Sequence, residues 1–347
     1  MTLLETQGLD AIVFQNLYNL RYLCGFSGSD GALLVTAAGD CFLCDSRYTA
    51  QARQQVVAAE QQEYRVKAEA IGGWLAARGA KRIGFEAETL TVAGLERLRT
   101  GGPEGAKWIS LSREQLAFRA SKDADEIAAM EEAAALNAAA FAEILPLIRP
   151  GAVERELSLA LEFALKRRGG EEKAFDFIVA SGPRGAMPHG VASDRELCAG
   201  ELVTIDFGTR VRGYHSDETV TVAIGQVEPR LRQIFDVVLE AHDQAMAAVR
   251  PGVCLRDIDG IARRVIEEAG FGDYFGHGLG HGVGLEVHEF PTLSPRSEDL
   301  AEVGMVVTIE PGIYVPELGG VRIEDMVLVT ADGGRCLTQI SKAFRAL

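Results

Sequence analysis

The chain has 347 residues, 47% of them apolar, enough for about two domains with sizeable cores and too many for a disordered or disulfide-stapled chain. Against 50 acidic residues stand 35 basic ones, a formal charge of −15, so neither a nucleic-acid backbone nor an anionic membrane is an expected partner. The first twenty residues hold no Lys or Arg for a signal peptide's charged start, and the most apolar stretch, residues 133–148, is interrupted by Asn137, Glu143 and Pro146 and falls short of a membrane span.

In chain order, residues 10–14, 31–35 and 41–44 read as strands, the last two around the turn signal Ala38-Gly39-Asp40. Residues 49–59 and 68–78 read as helices, 81–85 as a strand and 92–99 as a helix, with a glycine-rich loop at 100–105. This alternation predicts an α/β layer with parallel pairing. Cys41 and Cys44 form a lone C-x-x-C inside a strand-like run, without a second Cys/His pair at zinc spacing. The six cysteines therefore read as redox-inert and suit a reduced cytoplasm. A boundary is expected between about 110 and 122, which separates a first domain, 1–118, from a second, 122–347. A helix starts afresh at Asp123, a cap residue with Glu126 at the third helical position. Pro150-Gly151 breaks it, and residues 154–168 form another helix that ends at Gly169-Gly170.

The second half contains an internal repeat. Gly200-Glu-Leu-Val-Thr-Ile-Asp-Phe-Gly208 matches Gly304-Met-Val-Val-Thr-Ile-Glu-Pro-Gly312 without a gap. Gly213-Tyr-His-Ser-Asp217 aligns with Gly320-Val-Arg-Ile-Glu324, and Arg149-Pro-Gly151 recurs as Arg250-Pro-Gly252. Each copy reads helix, Pro-Gly break, helix, then an antiparallel strand pair. Two copies predict a pseudo-two-fold α+β domain with helices packed on a curved sheet.

Each copy ends one apolar strand on an acid, Asp206 or Glu310, and places a second acid on the next strand, Asp217 or Glu324. A lone carboxylate there is an exposed strand-end cap or an ion-pair partner. Four related by a dyad can converge on one point, where they repel unless something cationic sits among them. Two divalent ions balance four carboxylates. Five of the six histidines, His189, His215, His277, His281 and His288, cluster around these acidic strands in sequence, whereas His242 lies in a helical stretch and reads as a surface or boundary residue. The run Gly276-His-Gly-Leu-Gly-His-Gly-Val-Gly284 is too glycine-rich for a helix and reads as a loop or strand that another backbone approaches closely. It lacks the Lys of a phosphate loop. One imidazole beside four carboxylates suits Mn or Co, with Zn also compatible.

The ordered set Asp206, Asp217, His281, Glu310 and Glu324 resembles the five-ligand signature of the pita-bread metallopeptidases, the methionine aminopeptidase, aminopeptidase P and prolidase family. Val287-His-Glu-Phe-Pro291 and Val321-Arg-Ile-Glu324 are similar to the aminopeptidase P and prolidase branch. The first half, notably Tyr22-Leu-Cys-Gly-Phe-Ser-Gly-Ser29 and Asp45-Ser-Arg-Tyr-Thr-Ala-Gln51, resembles that branch's creatinase-like N-terminal α/β domain. His215 stands where the branch more often has a small residue, and Phe290 where it more often has a second acid.

The resemblance implies hydrolysis of the Xaa-Pro bond at the N-terminus of peptides or in dipeptides, by a hydroxide bridging two divalent ions, manganese first and cobalt or zinc as alternatives. It implies that Asp206 chelates one ion, that Asp217 and Glu324 bridge both, and that His281 and Glu310 complete the second. Glu310 is implied to shuttle the proton to the leaving nitrogen, His288 to stabilise the oxyanion and His189 to hold the substrate; His277, Tyr314 and Arg322 are implied to support the site. It further implies a peptide partner with proline second, no nucleic acid or membrane partner, and a homodimer. A metal-free creatinase-like amidinohydrolase and a non-catalytic pita-bread binding module are the rival readings. His288 lies seven residues beyond His281, an odd spacing that would turn it to the opposite face of a straight strand, so a bend near Gly284 is expected.

Overall fold

A computed structural model describes residues 3–347. The chain divides into two compact units, Met1–Ala117 and Phe118–Leu347.

The first unit holds one six-stranded sheet. Its strands are β1 (Ala11–Phe14), β2 (Ala32–Thr36), β3 (Gly39–Cys44), β4 (Glu60–Glu63), β5 (Arg82–Glu86) and β6 (Lys107–Leu111), in the order β4-β3-β2-β1-β5-β6. The sheet is mixed, which corrects the expectation of parallel pairing: β2 runs antiparallel to both β1 and β3, while β1–β5, β5–β6 and β3–β4 are parallel. The physical reason is the connection. Only Ala37 and Ala38 separate β2 from β3, too few residues for a crossover, so the chain folds back as a hairpin. The helix expected at 49–59 stops at Gln55, and the chain then forms β4, Glu-Gln-Gln-Glu, a polar edge strand without an apolar pattern to announce it. Beneath the sheet lies a core that includes Val13, Leu34, Leu43, Ile71, Leu75 and Ile83. Cys41 and Cys44 sit on β3, buried, and all six cysteines are free.

The second unit repeats one plan. Its first copy comprises helices Ala124–Ile144 and Glu154–Arg167, then β7 (Ile178–Ser181), β8 (Leu202–Phe207), the short hairpin β9 (Arg210–Val211) and β10 (Tyr214–His215), and β11 (Glu218–Ala223). A second copy comprises helices Pro229–Ala248 and Leu255–Glu268, then β12 (Gly280–Gly282), β13 (Glu289–Leu293), β14 (Val306–Ile309), the hairpin β15 (Gly312–Val315) and β16 (Gly319–Arg322), β17 (Asp325–Thr330) and β18 (Gly333–Cys336). Sheet orders are β11-β8-β7 and β13-β12-β14-β17-β18. Within each copy the repeated strands pair antiparallel, β8 with β11 and β14 with β17.

Asp123 caps its helix as expected: its carboxylate accepts from the backbone of Asp125 and Glu126, and Glu126 reaches back to the Asp123 N–H. His242, expected at the surface or at a boundary, is buried instead. Its helix turns Val238, Ala241, His242 and Ala245 inward together, and the ring nitrogens face Asp243 at 3.0 Å and Asp325 at 3.1 Å. Among the described residues no helix is long and apolar enough to cross a membrane.

Candidate active site

The two copies meet through side chains that cross the pseudo-dyad. Thr219 Oγ1, on β11, donates to Glu324 at 2.6 Å, and the Glu324 N–H reaches the Thr219 carbonyl at 3.2 Å. Thr221 Oγ1 donates to the Arg322 carbonyl at 2.8 Å. These contacts draw the acids of both copies to one place.

Asp217, His281 and Glu324 each offer a ligand atom, all within 4.8 Å of one another. His281 Nε2 lies 3.3 Å from Glu310 Oε1 and 3.6 Å from Asp217 Oδ2. Asp206 joins them at the end of β8, where Arg322 donates to its Oδ2 at 2.5 Å, and it borders the same cavity as His281 and Glu310. That cavity, of about 580 Å³, is also walled by His189, His277, Tyr314 and Arg322. One chain of contacts links three of these: His277 Nε2 lies 3.0 Å from the Tyr314 hydroxyl, which accepts from Arg322 at 2.9 Å.

Glycine makes the close packing possible. A Cβ at Gly280 would lie 2.0 Å from the Thr308 carbonyl oxygen, so the His281 strand can approach β14 this closely only without a side chain at that position. The register of β12 against β13 shifts between His281 and Gly282, which pairs with Glu289. The shift leaves Phe290 and Pro291 unpaired, residues 283–288 form the loop that joins the two strands, and the ring centroids of His281 and His288 come to 4.2 Å, edge to face. The bend expected from the spacing is present. His288 is exposed and is not one of the cavity-wall residues.

Electrostatics follow from burial. The carboxyls of Asp217 and Glu324 are pushed well above the ordinary range, first by burial and then by neighbouring carboxylates. Burial raises Asp206 as well, although Arg322 opposes it. Burial pushes Glu310 up too, but the His281 ring outweighs it and holds that acid down at about 2. His281 is drawn down by burial and lifted further by Glu310 and Asp217, to about 9.

Sequence reading missed the hydroxyls and the buried acids behind the cluster. Thr308 accepts from the His281 N–H at 3.1 Å and donates to Glu310 at 3.2 Å, and Thr219 supports Glu324 as above. Lys342 Nζ lies 2.7 Å from Glu218 and 3.2 Å from Asp325, the residues that follow Asp217 and Glu324. The available signal was the repeat itself, which carries Val-Thr-Ile before Asp206 and Glu310 and a second acid after Asp217 and Glu324.

Residues 128–331 match metallopeptidase family M24, and residues 1–121 match the Creatinase/Prolidase N-terminal domain. The chain belongs to metallopeptidase family M24. A curated relative, the Xaa-Pro dipeptidase of Pyrococcus horikoshii, is 36% identical over 98% of this chain and 95% of its own. Among solved structures, the Xaa-Pro dipeptidase from Bacillus anthracis superposes with a TM-score of 0.95 at 39% identity, over 99% of this chain and 96% of that one. The X-Pro aminopeptidase from Thermotoga maritima superposes with a TM-score of 0.88 at 34% identity, over 98% of each. The architecture is thus a creatinase-like N-terminal domain followed by the pita-bread catalytic domain of a hydrolase.

The family implies divalent metal ions, and the residues present fit them. Four carboxylates and one imidazole form an oxygen-rich donor set. Asp206 Oδ1 is buried without a hydrogen-bond partner, as a donor atom reserved for a cation would be. His281 Nδ1 lies 3.1 Å from the Gly282 carbonyl, so a proton held there would remain when a cation displaced the one on Nε2, which would leave the tautomer a metal-binding histidine needs.

Proposed function

We propose that this M24 metallopeptidase hydrolyses the Xaa-Pro peptide bond of dipeptides or of longer peptides with proline second. The observation that carries the reading is the grouping of Asp217, His281 and Glu324 within 4.8 Å, with Glu310 3.3 Å from His281, beside a cavity that Asp206, His281 and Glu310 border and that is large enough for a short peptide. Nearly full-length likeness to proteins named Xaa-Pro dipeptidase and X-Pro aminopeptidase supports the proline specificity. In this reading Asp206, Asp217, His281, Glu310 and Glu324 would hold two divalent ions, manganese first. Bound divalent ions supply Lewis acidity and lower the pKa of coordinated water toward 7.

The protein's own residues then divide the work. Glu310 takes the proton of the attacking water and returns it to the leaving proline nitrogen. His288 donates a hydrogen bond to the carbonyl oxygen as charge develops there, and His189 holds the substrate at the cavity wall. Arg322 orients Asp206 and opposes the effect of its burial, and through Tyr314 it also contacts His277. The intact donor set speaks against a metal-free amidinohydrolase and against a binding module. A cytoplasmic location, supported by six free cysteines, and a homodimer complete the reading.

The deciding experiment strips the protein, restores Mn, Co or Zn, and compares Xaa-Pro with Xaa-Pro-Xaa-Xaa peptides. Cleavage at the Xaa-Pro bond that returns only with metal is the expected result, and the preferred length assigns dipeptidase or aminopeptidase. Full turnover without metal overturns the reading. Light scattering of the same sample measures the oligomeric state.

A further inference from the structure

Glu289 follows His288 and opens β13, where its backbone pairs with Gly282, the residue after His281. Its carboxylate has left water, being only 2% exposed, and so needs a compensating cation. Lys122 supplies one: its Nζ lies 2.7 Å from Glu289 Oε1, and its side chain is 1% exposed. The second oxygen of Glu289 lies 3.3 Å from Arg119, whose guanidinium also meets Glu286, so the acids on both sides of His288 are anchored.

The anchor is itself fixed. The Lys122 N–H donates to the Gly304 carbonyl at 2.8 Å, its ammonium donates to the Ala120 carbonyl at 3.1 Å, and the next residue caps a helix. From the opposite side His215, two residues before Asp217, directs its backbone N–H and its Nδ1 to the Gly284 carbonyl, at 2.8 and 3.0 Å. A Cβ at Gly284 would come 2.3 Å from Glu289 Oε1, so the loop closes directly over that carboxylate. Within residues 283–289, His288 is the exposed residue. A buried ion pair gives little net stability over an apolar pair of the same volume, but it does set direction. Direction matters where an exposed imidazole must stand still beside a neighbouring ring, because a catalytic group displaced by about 1 Å loses much of its effect.

We propose that Lys122, through its buried ion pair with Glu289, is a positioning residue that fixes the His288 imidazole at the edge of the active site. The inference rests on the reading of His288 as the oxyanion donor, and a double-mutant cycle separates the two. Variants K122M, H288A and K122M/H288A are compared for kcat, KM, bound metal and thermal unfolding. The expected result is that K122M lowers kcat about tenfold or more with KM and metal content near wild type, H288A lowers it about a hundredfold, and the double variant matches H288A. In metal-free protein the ring resonances of His288, assigned by their loss in H288A, shift or broaden in K122M.

Turnover in K122M at the wild-type level, a multiplicative loss in the double variant, or loss of metal in K122M overturns the positioning role. H288A at wild-type turnover overturns the assignment of His288 and the clamp with it. Should K122M fail to fold, E289Q, which keeps the shape and removes the charge, is carried through the same cycle with the same expectations.

Discussion

Arg322 donates to the carboxylate of Asp206 at 2.5 Å, a contact between the two copies of the internal repeat. The same guanidinium reaches Thr219 at 3.2 Å, Tyr314 at 2.9 Å and the Pro188 carbonyl at 3.1 Å. Removing it by Arg322→Met leaves Asp206 buried without its cationic partner. Breaking a buried pair from one side costs about 3–5 kcal/mol, so chemical denaturation of the metal-free variant should show a loss on that scale. Arg322→Lys should recover only part of it, because an ammonium cannot span four partners in one plane. Unchanged stability in Arg322→Met would show that Asp206 does not depend on it.

Metal removal should lower thermal stability as well as abolish turnover. Ions that bind the folded state alone stabilise it by mass action, by about 2.7 kcal/mol at a hundredfold excess over Kd. Calorimetry of stripped and reloaded protein should therefore show a melting temperature that climbs with the logarithm of free metal. A melting temperature indifferent to metal would contradict the cluster as a cation site.

Gly280→Ala should separate His281 from Glu310. The added methyl meets the Thr308 carbonyl at 2.0 Å, and backbone cannot yield as a flexible side chain can. The expected outcome is a stability loss of about 1–3 kcal/mol, on the scale of overpacking, together with weaker metal binding in a titration. Normal metal affinity in this variant would show that β12 tolerates displacement from β14.

His242 should make stability depend on pH near neutrality. Burial draws its ring down, but Asp243 and Asp325 outweigh that and raise it above its ordinary value. Its Nε2 lies 3.1 Å from Asp325 Oδ2, an ion-pair distance whose geometry is off the line of a good hydrogen bond. A group raised on folding stabilises fully below its unfolded value, about 6.5, and that contribution is lost as pH rises through the folded value. Unfolding free energy should thus decline above about pH 6.5 in wild type, and His242→Gln should flatten the decline. Parallel pH profiles for the two proteins would rule out this linkage.

Much of the candidate site is legible in the sequence because duplication doubles the signal. Val-Thr-Ile before an acid is unremarkable once; repeated in register, with a second acid following on the next strand in both copies, it marks Asp206, Asp217, Glu310 and Glu324 as one group. The glycine spacing around His281 announces close backbone approach, and Gly280 against Thr308 shows it. The capped helix start at Asp123 depends on contacts three residues apart, so local sequence suffices for it.

Other features needed the tertiary structure. Nothing local in Glu-Gln-Gln-Glu distinguishes a loop from the edge strand β4, because its partner β3 supplies the hydrogen bonds. His242 reads as a surface or boundary residue until Asp325, 83 positions later in the chain, is seen beside it. Lys342 with Glu218 and Asp325, like Lys122 with Glu289, is a pairing of charges distant in sequence, and any of them alone reads as a solvated residue. Sequence by itself determined the four acids and one histidine of the candidate site and the two-fold plan, since these are written in residue identity and spacing. Which carboxylates keep water, which exchange it for a lysine or an arginine, and which face one another across the dyad were decided only by packing, because solvation and Coulomb energy depend on distances that the linear chain does not contain.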